Sequence, residues 1–170
     1  DWFVWRSLSI TEFISKYIDE PITLMVKAKP HKVIIDCANG NNPALHRCIE
    51  KAKELYGDSL TIMAGNVSSP EAFHELALSG CDYIRVGIGG SVACNTTKNT
   101  GVGQENLGEL IKDCYKLREI DANDNVKNCK IVADGISSYI DLCQKAYGFL
   151  DNGYAAINKL LFLGADMIMV

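Results

Sequence analysis

The stretch Val86–Gly103 reads VGIGGSVACNTTKNTGVG and combines three features that chemistry on a bound anion needs. Gly87, Gly89 and Gly90 let backbone N–H groups approach a phosphate closely. Ser91 adds a hydroxyl donor. Cys94 then places a sulfur nucleophile on a loop, where nearby dipoles and a bound electrophile favour the thiolate. Thr96, Thr97 and Thr100 supply hydroxyls that can relay or orient a proton. A glycine-rich loop alone is a weak signal. Glycines, a loop cysteine and threonines directly after a strand make a stronger one. Three other polar clusters also follow apolar runs: Asp36-Cys37-Ala38-Asn39-Gly40, Gly65-Asn66-Val67 and Asp134-Gly135. Tight turns favour Gly and Asn, so turn chemistry accounts for any one cluster. It accounts poorly for all four together.

The elements that must position these residues alternate between short apolar strands and amphipathic helices. The strand candidates are Trp2–Trp5, Val33–Cys37, Leu60–Ala64, Tyr83–Val86, Lys130–Ala133 and Met167–Val170. Nearly continuous apolar runs of this kind are expected of parallel strands covered on both faces. Ser9-x-x-Glu12 reads as a capping box ahead of Phe13, Ile14, Tyr17 and Ile18. Pro43 opens a second helix that Gly57 stops, and Ser69-Pro70-Glu71 opens a third that Gly80 closes. A fourth carries Leu107, Leu110, Ile111, Cys114 and Leu117. Two more are expected between Tyr139 and Leu163, broken near Asp151-Asn152-Gly153, and Asp121–Asn128 reads as a polar surface loop. This is the α/β class. In parallel α/β folds the carboxyl ends of the strands form the active edge, where all four clusters fall. Alternation alone leaves a barrel and an open doubly wound sheet both open. Leu76–Val86 and Leu160–Val170 echo one another as helix tail, Gly, small residue, Asp, strand. Such a repeat of an αβ joint suits a barrel, and two independent glycine-terminated helices explain it nearly as well.

Composition narrows the function classes. The 170 residues are 48% hydrophobic and 22% charged with a net charge of −4, as in one soluble globular domain. The mildly acidic balance, without a Lys/Arg run, argues against nucleic acid as the main partner. No apolar run approaches the roughly 18 residues that a membrane helix needs, and DWFVWRSLSI does not read as a signal peptide. The seven cysteines are scattered without a CxxC pair, which points to free thiols in a reducing, cytoplasmic setting. His31, His46 and His74 share no metal-ligand spacing; His46 and His74 are expected on helices and His31 in a loop. Trp2 and Trp5 read as core or interface, Glu105 as a solvated turn carboxylate, and Asp82 and Asp166 as structural residues on the edge opposite the active one.

The order DCANG, AGNV, VGIG…C-x-T…TGVG, ADG and GADMIMV resembles the IMP dehydrogenase/GMP reductase family from about Val33 to Val170. The resemblance implies a (β/α)8 TIM-type barrel, present here as roughly the last six βα units in one incomplete domain over residues 1–170, with a cysteine loop at 87–103. It also implies an oxidoreductase acting on a purine nucleotide, GMP or IMP, with NADP or NAD. Cys94 would be the nucleophile that attacks purine C2, and Thr96 the catalytic-loop threonine. On the cofactor side, Asp36 matches the acid beside the nicotinamide, and Asn66 the asparagine after the fifth strand, near the nucleotide. On the substrate side, Gly89, Gly90 and Ser91 face the phosphate, Asp134 the ribose hydroxyls, and Gly135 the phosphate. Carbonyls of Gly89, Ser91 and Cys94 match those that hold a potassium ion, and the family's tetramers imply a homo-oligomer.

The departures from the family pattern bear on the same residues. Where the family reads GxG-x-GS-x-C, this chain reads Gly87-Ile88-Gly89-Gly90-Ser91-Val92-Ala93-Cys94, and ADGG appears as Ala133-Asp134-Gly135-Ile136. The arginine–tyrosine flap that activates water in the dehydrogenases has no counterpart. Lys98-Asn99-Thr100-Gly101-Val102-Gly103 is closer to the reductases, which convert GMP to IMP and ammonia, than to the dehydrogenases, which convert IMP to XMP. A non-catalytic nucleotide-binding or scaffold relative is the alternative from another class. Six strands cannot close an eight-strand barrel of roughly 250 residues, so either the sequence is a fragment of a longer chain or a partner supplies the missing strands, and a fragment is the expectation.

Overall fold

A computed structural model describes residues 4–19, 31–88, 103, 106–136 and 151–169, with the backbone alone for 151–155. The chain runs β1 (Arg6–Leu8), α1 (Ile10–Phe13), β2 (His31–Asp36), α2 (Pro43–Tyr56), β3 (Leu60–Val67), α3 (Pro70–Leu78) and β4 (Tyr83–Val86). It continues through α4 (Leu107–Ile120), α5 (Asp124–Asn128), β5 (Lys130–Ala133), α6 (Asp151–Phe162) and β6 (Met167–Ile168). All six strands are parallel and lie in chain order, β1-β2-β3-β4-β5-β6. A doubly wound sheet reverses its strand order at a switch point, whereas this sheet never does. The architecture is therefore that of consecutive βα units of a TIM-type barrel, and among the described residues β1 and β6 each have one neighbour.

The helix starts follow from local chemistry. Ser9 and Glu12 form a reciprocal capping box at α1, which runs on into a wider π turn over Ile14–Asp19. Asn42 caps α2 ahead of Pro43, Ser69 caps α3 ahead of Pro70, and Asn106 caps α4. Gly57 ends α2 with a φ of 51°. Between sheet and helices lies one core. Val33, Ile35, Ile62, Ala64, Ile84, Val86, Ile131 and Ala133 meet Leu45, Ile49, Phe73, Leu76, Ile111 and Cys114 there. Strand residues alternate between faces, so Lys32, Ile34, Asp36, Met63, Gly65, Tyr83 and Arg85 share the opposite face of the sheet.

Four expectations need correction. The first strand is Arg6–Leu8 rather than Trp2–Trp5; Trp2 and Phe3 lie outside the described residues, and Val4 and Trp5 precede the strand. The ladder to β2 sets this frame, pairing Arg6 with Val33 and Leu8 with Ile35. Trp5 instead packs edge-on against Tyr83, with the Lys32 ammonium over its ring. His31 opens β2 instead of lying in a loop. Asp121–Asn128 holds the short helix α5, capped by Asn123 and anchored by fully buried Val126. Helix α6, described over Asp151–Phe162, includes Asn152-Gly153, where a break was expected. The Thr23–Val26 stretch and the helix before Asp151 lie outside the described residues.

The echoed αβ joints are one device used twice, at the amino edge of the sheet. Asp82 Oδ2 accepts from Ile62 N and from Lys53 Nζ, both at 2.7 Å. Asp166 Oδ2 accepts from Ile131 N at 2.8 Å and from Arg118 Nη1 at 2.5 Å. Each acid thus accepts a backbone N–H of the strand before its own and neutralises a cation from a helix earlier in the chain, Lys53 on α2 or Arg118 on α4. Gly80 and Gly164 turn the chain into the joints with φ of 92° and 113°. Removing either acid leaves a strand N–H without its acceptor and takes the carboxylate from a cation, leaving Lys53 Nζ on Leu60 O at 2.9 Å or Arg118 Nη1 on Cys129 O at 3.2 Å. Arg118 is the more buried cation, its side chain 9% exposed against 19% for Lys53. In urea titration of the full-length protein, Asp166→Ala is expected to cost about 3 kcal/mol or more. Asp82→Ala should cost about 1–2 kcal/mol, because the more exposed lysine reaches water, with the slope unchanged in both.

Candidate active site

At the carboxyl edge the parallel ladder continues past the strands. Asn66 N donates to Cys37 O, Gly87 N to Val67 O, Asp134 N to Val86 O and Met169 N to Ala133 O, over 2.8–3.3 Å. These rungs bring three of the four polar clusters to one edge, together with the root of the fourth at Gly87. Glycines permit the close approach. A Cβ on Gly65 would stand 2.7 Å from Arg85 O, and one on Gly87 would overlap Asp134 O. Their φ values of 146° and 131° also disfavour any side chain.

Asn66 sits at the centre. Its Nδ2 donates to Gly87 O at 2.6 Å and to Asp134 Oδ2 at 2.7 Å, two acceptors that fix which way the amide points. Asp134 Oδ1 accepts from Gly135 N at 2.7 Å. Among the described residues each Asp134 oxygen carries one hydrogen bond, which leaves a lone pair for another donor. Asp36, the last residue of β2, has a side chain 62% exposed, and its Oδ1 accepts from Arg85 Nη2. Its Oδ2 has no hydrogen-bond donor among the described residues. Two carboxylates thus stand at one edge with acceptor capacity to spare, which suits hydroxyl-rich ligands such as the ribose diols of nucleotides.

The structure pairs Asn66 with Asp134, so the asparagine expected on the cofactor side touches the acid expected on the substrate side. Cys94, Thr96, Gly89, Gly90 and Ser91 lie outside the described residues, and with them the expected phosphate grip and potassium carbonyls. Among the described residues no three His, Cys, Asp or Glu groups gather as a metal cluster. Sequence reading took Arg85 for part of an apolar strand. Its signal was a charge inside a run that is otherwise fully apolar. His46 and His74 lie on helices as expected; His74 Nε2 meets Asp121 Oδ2 at 2.7 Å.

The described cysteines are free thiols. Burial pushes the Cys37 and Cys48 thiols up, those of Cys81 and Cys114 up to about 12, and that of Cys129 well up. None of them is poised as a nucleophile. Raised acids hold their protons in the folded state and release them near 9.0 when unfolded. Their contribution to stability is therefore complete below pH 9 and drains as pH rises toward 12. The urea midpoint should fall with pH above that point, and fall less steeply in Cys114→Ala. A second expectation concerns Gly87. Gly87→Ala, which drives a methyl into the Asp134 carbonyl, should cost about 2–4 kcal/mol in urea titration. Gly57→Ala, with nothing within 4 Å of the added methyl, should cost less.

Comparison with known proteins places this geometry. The profile of the IMP dehydrogenase / GMP reductase domain matches residues 13–170. The chain is 30% identical over 149 residues to an inosine-5'-monophosphate dehydrogenase of Chlorobaculum parvum, covering 88% of this chain and 26% of that protein. It is 33% identical over 138 residues to a GMP reductase of Caenorhabditis elegans, covering 81% and 32% respectively. It is 44% identical over 80 residues to a GMP reductase of Salmonella typhi, covering 47% and 23%. The chain thus spans about a quarter to a third of the curated relatives it matches. With the profile running from α1 to the last residue, this chain belongs to the IMP dehydrogenase / GMP reductase family.

Proposed function

We propose that this chain is the catalytic portion of a purine nucleotide oxidoreductase that converts GMP to IMP and ammonia with a reduced nicotinamide dinucleotide. The observation that carries the reading is the Asp134–Asn66–Gly87 arrangement, in which one amide donates both to a carboxylate and to the root of the cysteine loop in a chain of this family. The lean toward the reductase rests on Lys98–Gly103 and on the 42–44% identity to GMP reductases over stretches of 78–80 residues. The longer match to an IMP dehydrogenase favours IMP oxidation to XMP as the second reading.

In this reading Asp134 accepts hydrogen bonds from the substrate ribose, and Gly135 with Gly89, Gly90 and Ser91 receives the phosphate. The Cys94 thiolate adds to purine C2, and the 2-amino group leaves as ammonia with a proton that Thr96 helps deliver. When bound, the reduced nicotinamide supplies the hydride that takes the amino group's place at C2. Expulsion of the Cys94 sulfur then yields IMP and restores the thiolate. Asp36 holds the dinucleotide beside the purine. Potassium on the carbonyls of Gly89, Ser91 and Cys94, a tetrameric assembly and a cytoplasmic setting belong to the same proposal. Among the described residues no helix is long and apolar enough to cross a membrane.

The test is GMP-dependent oxidation of NADPH and NADH by the full-length protein, with ammonia assayed in parallel. Cys94→Ser should lower kcat by about a thousandfold or more while GMP still binds. Turnover of IMP with the oxidised dinucleotide, without GMP reduction, would assign the dehydrogenase reaction. A folded protein inactive in both directions would make it a non-catalytic relative.

A further inference from the structure

Arg85 lies in the middle of β4 between fully buried Ile84 and Val86, with only 8% of its own surface exposed. The row Asp36–Gly65–Arg85 runs straight across β2, β3 and β4. The missing side chain of Gly65 opens the passage through which the guanidinium reaches Asp36, two strands away; a Cβ there would stand 2.8 Å from Arg85 Cβ. Nη2 donates to Asp36 Oδ1 and reaches Gly65 O at 3.4 Å. Arg85 Nε is buried without an acceptor among the described residues.

This is a poor arrangement for stability. A cation is taken out of water, one donor is left unpaired, and the partner carboxylate stays largely in solvent, where its pull is screened. An aliphatic side chain of similar volume would fill β4 at no greater cost. What the guanidinium does provide is a fixed position for a carboxylate that would otherwise swing freely at the edge. We infer that Arg85 is a positioning residue, which holds the Asp36 carboxylate across Gly65 in the orientation that receives the hydroxyls of the dinucleotide. The inference rests on the reading that Asp36 faces the dinucleotide.

The experiment compares Arg85→Met, Arg85→Lys, Asp36→Asn and the Arg85→Met/Asp36→Asn double variant in the full-length protein. Thermal unfolding and steady-state kinetics are measured with the dinucleotide varied. Arg85→Met should leave Tm within about 3 °C of the wild type, or above it. It should raise KM for the dinucleotide about tenfold with kcat changed far less. Arg85→Lys should recover part of that loss. The double variant should be no worse than Asp36→Asn alone, since each single change already disables the pair. An Arg85→Met protein with unchanged KM, while Asp36→Asn raises it, overturns the positioning role and leaves the assignment of Asp36 standing. A dinucleotide KM indifferent to Asp36→Asn overturns both. A large fall in Tm in Arg85→Met, with KM and kcat lost together and no rescue by lysine, assigns Arg85 to the fold alone.

Discussion

The close approach of strands at their carboxyl ends is the constraint on which the rest of the site depends. Gly65 lets β4 come within reach of β3 at Arg85, and Gly87 lets the chain after β4 lie against the Asp134 carbonyl. Gly40 fits in the same way against Asn66 O and Val67, where a Cβ would have 3.0 Å to each. Without side chains at these three positions, the backbone rungs continue beyond the strands and carry Asn66 to Asp134 and Arg85 to Asp36. A methyl group at Gly65 or Gly87 would force the backbones apart at the carboxyl edge. The polar residues of the site therefore depend on what is absent from their neighbours.

The two edges of the sheet use acids differently. At the amino edge, Asp82 and Asp166 each take a strand N–H and a helix cation on Oδ2. Those bonds tie successive βα units together. At the carboxyl edge, Asp36 and Asp134 keep acceptor capacity that the described residues do not use. Stability concentrated at one end frees the other to carry open acceptors and a buried cation that contribute little to folding. This division is the general habit of β/α barrels, whose chemistry sits on the loops after the strands.

Much of this was legible in the residues. Apolar runs located five of the strands, because a parallel strand covered on both faces has little room for polar side chains. Ser9 with Glu12, Pro43 with Gly57, and Ser69 with Pro70 marked helix ends through local hydrogen bonding alone. The repeated Gly-x-Asp joint was visible as an echo, although only the structure shows that both acids bond the same kinds of partner. What failed depended on distant contacts. Trp2–Trp5 is apolar enough for a strand, yet the register with β2 selects Arg6–Leu8. The segment Asp121–Asn128 is polar except for Ala122 and Val126, and the Val126 side chain, fully buried in the core, organises a short helix. Arg85 was hidden among apolar neighbours because its partner Asp36 lies 49 residues away in sequence.

The most direct test of the central claim, that this edge binds a purine nucleotide by its ribose and phosphate, is a calorimetric titration of the full-length protein. GMP and IMP are compared there with guanosine and inosine, in the wild type and in Asp134→Asn. Binding that requires the phosphate, and that weakens about tenfold or more when the Asp134 carboxylate is lost, is the expected result. Nucleosides that bind as well as nucleotides, or a variant that binds as well as the wild type, would contradict it.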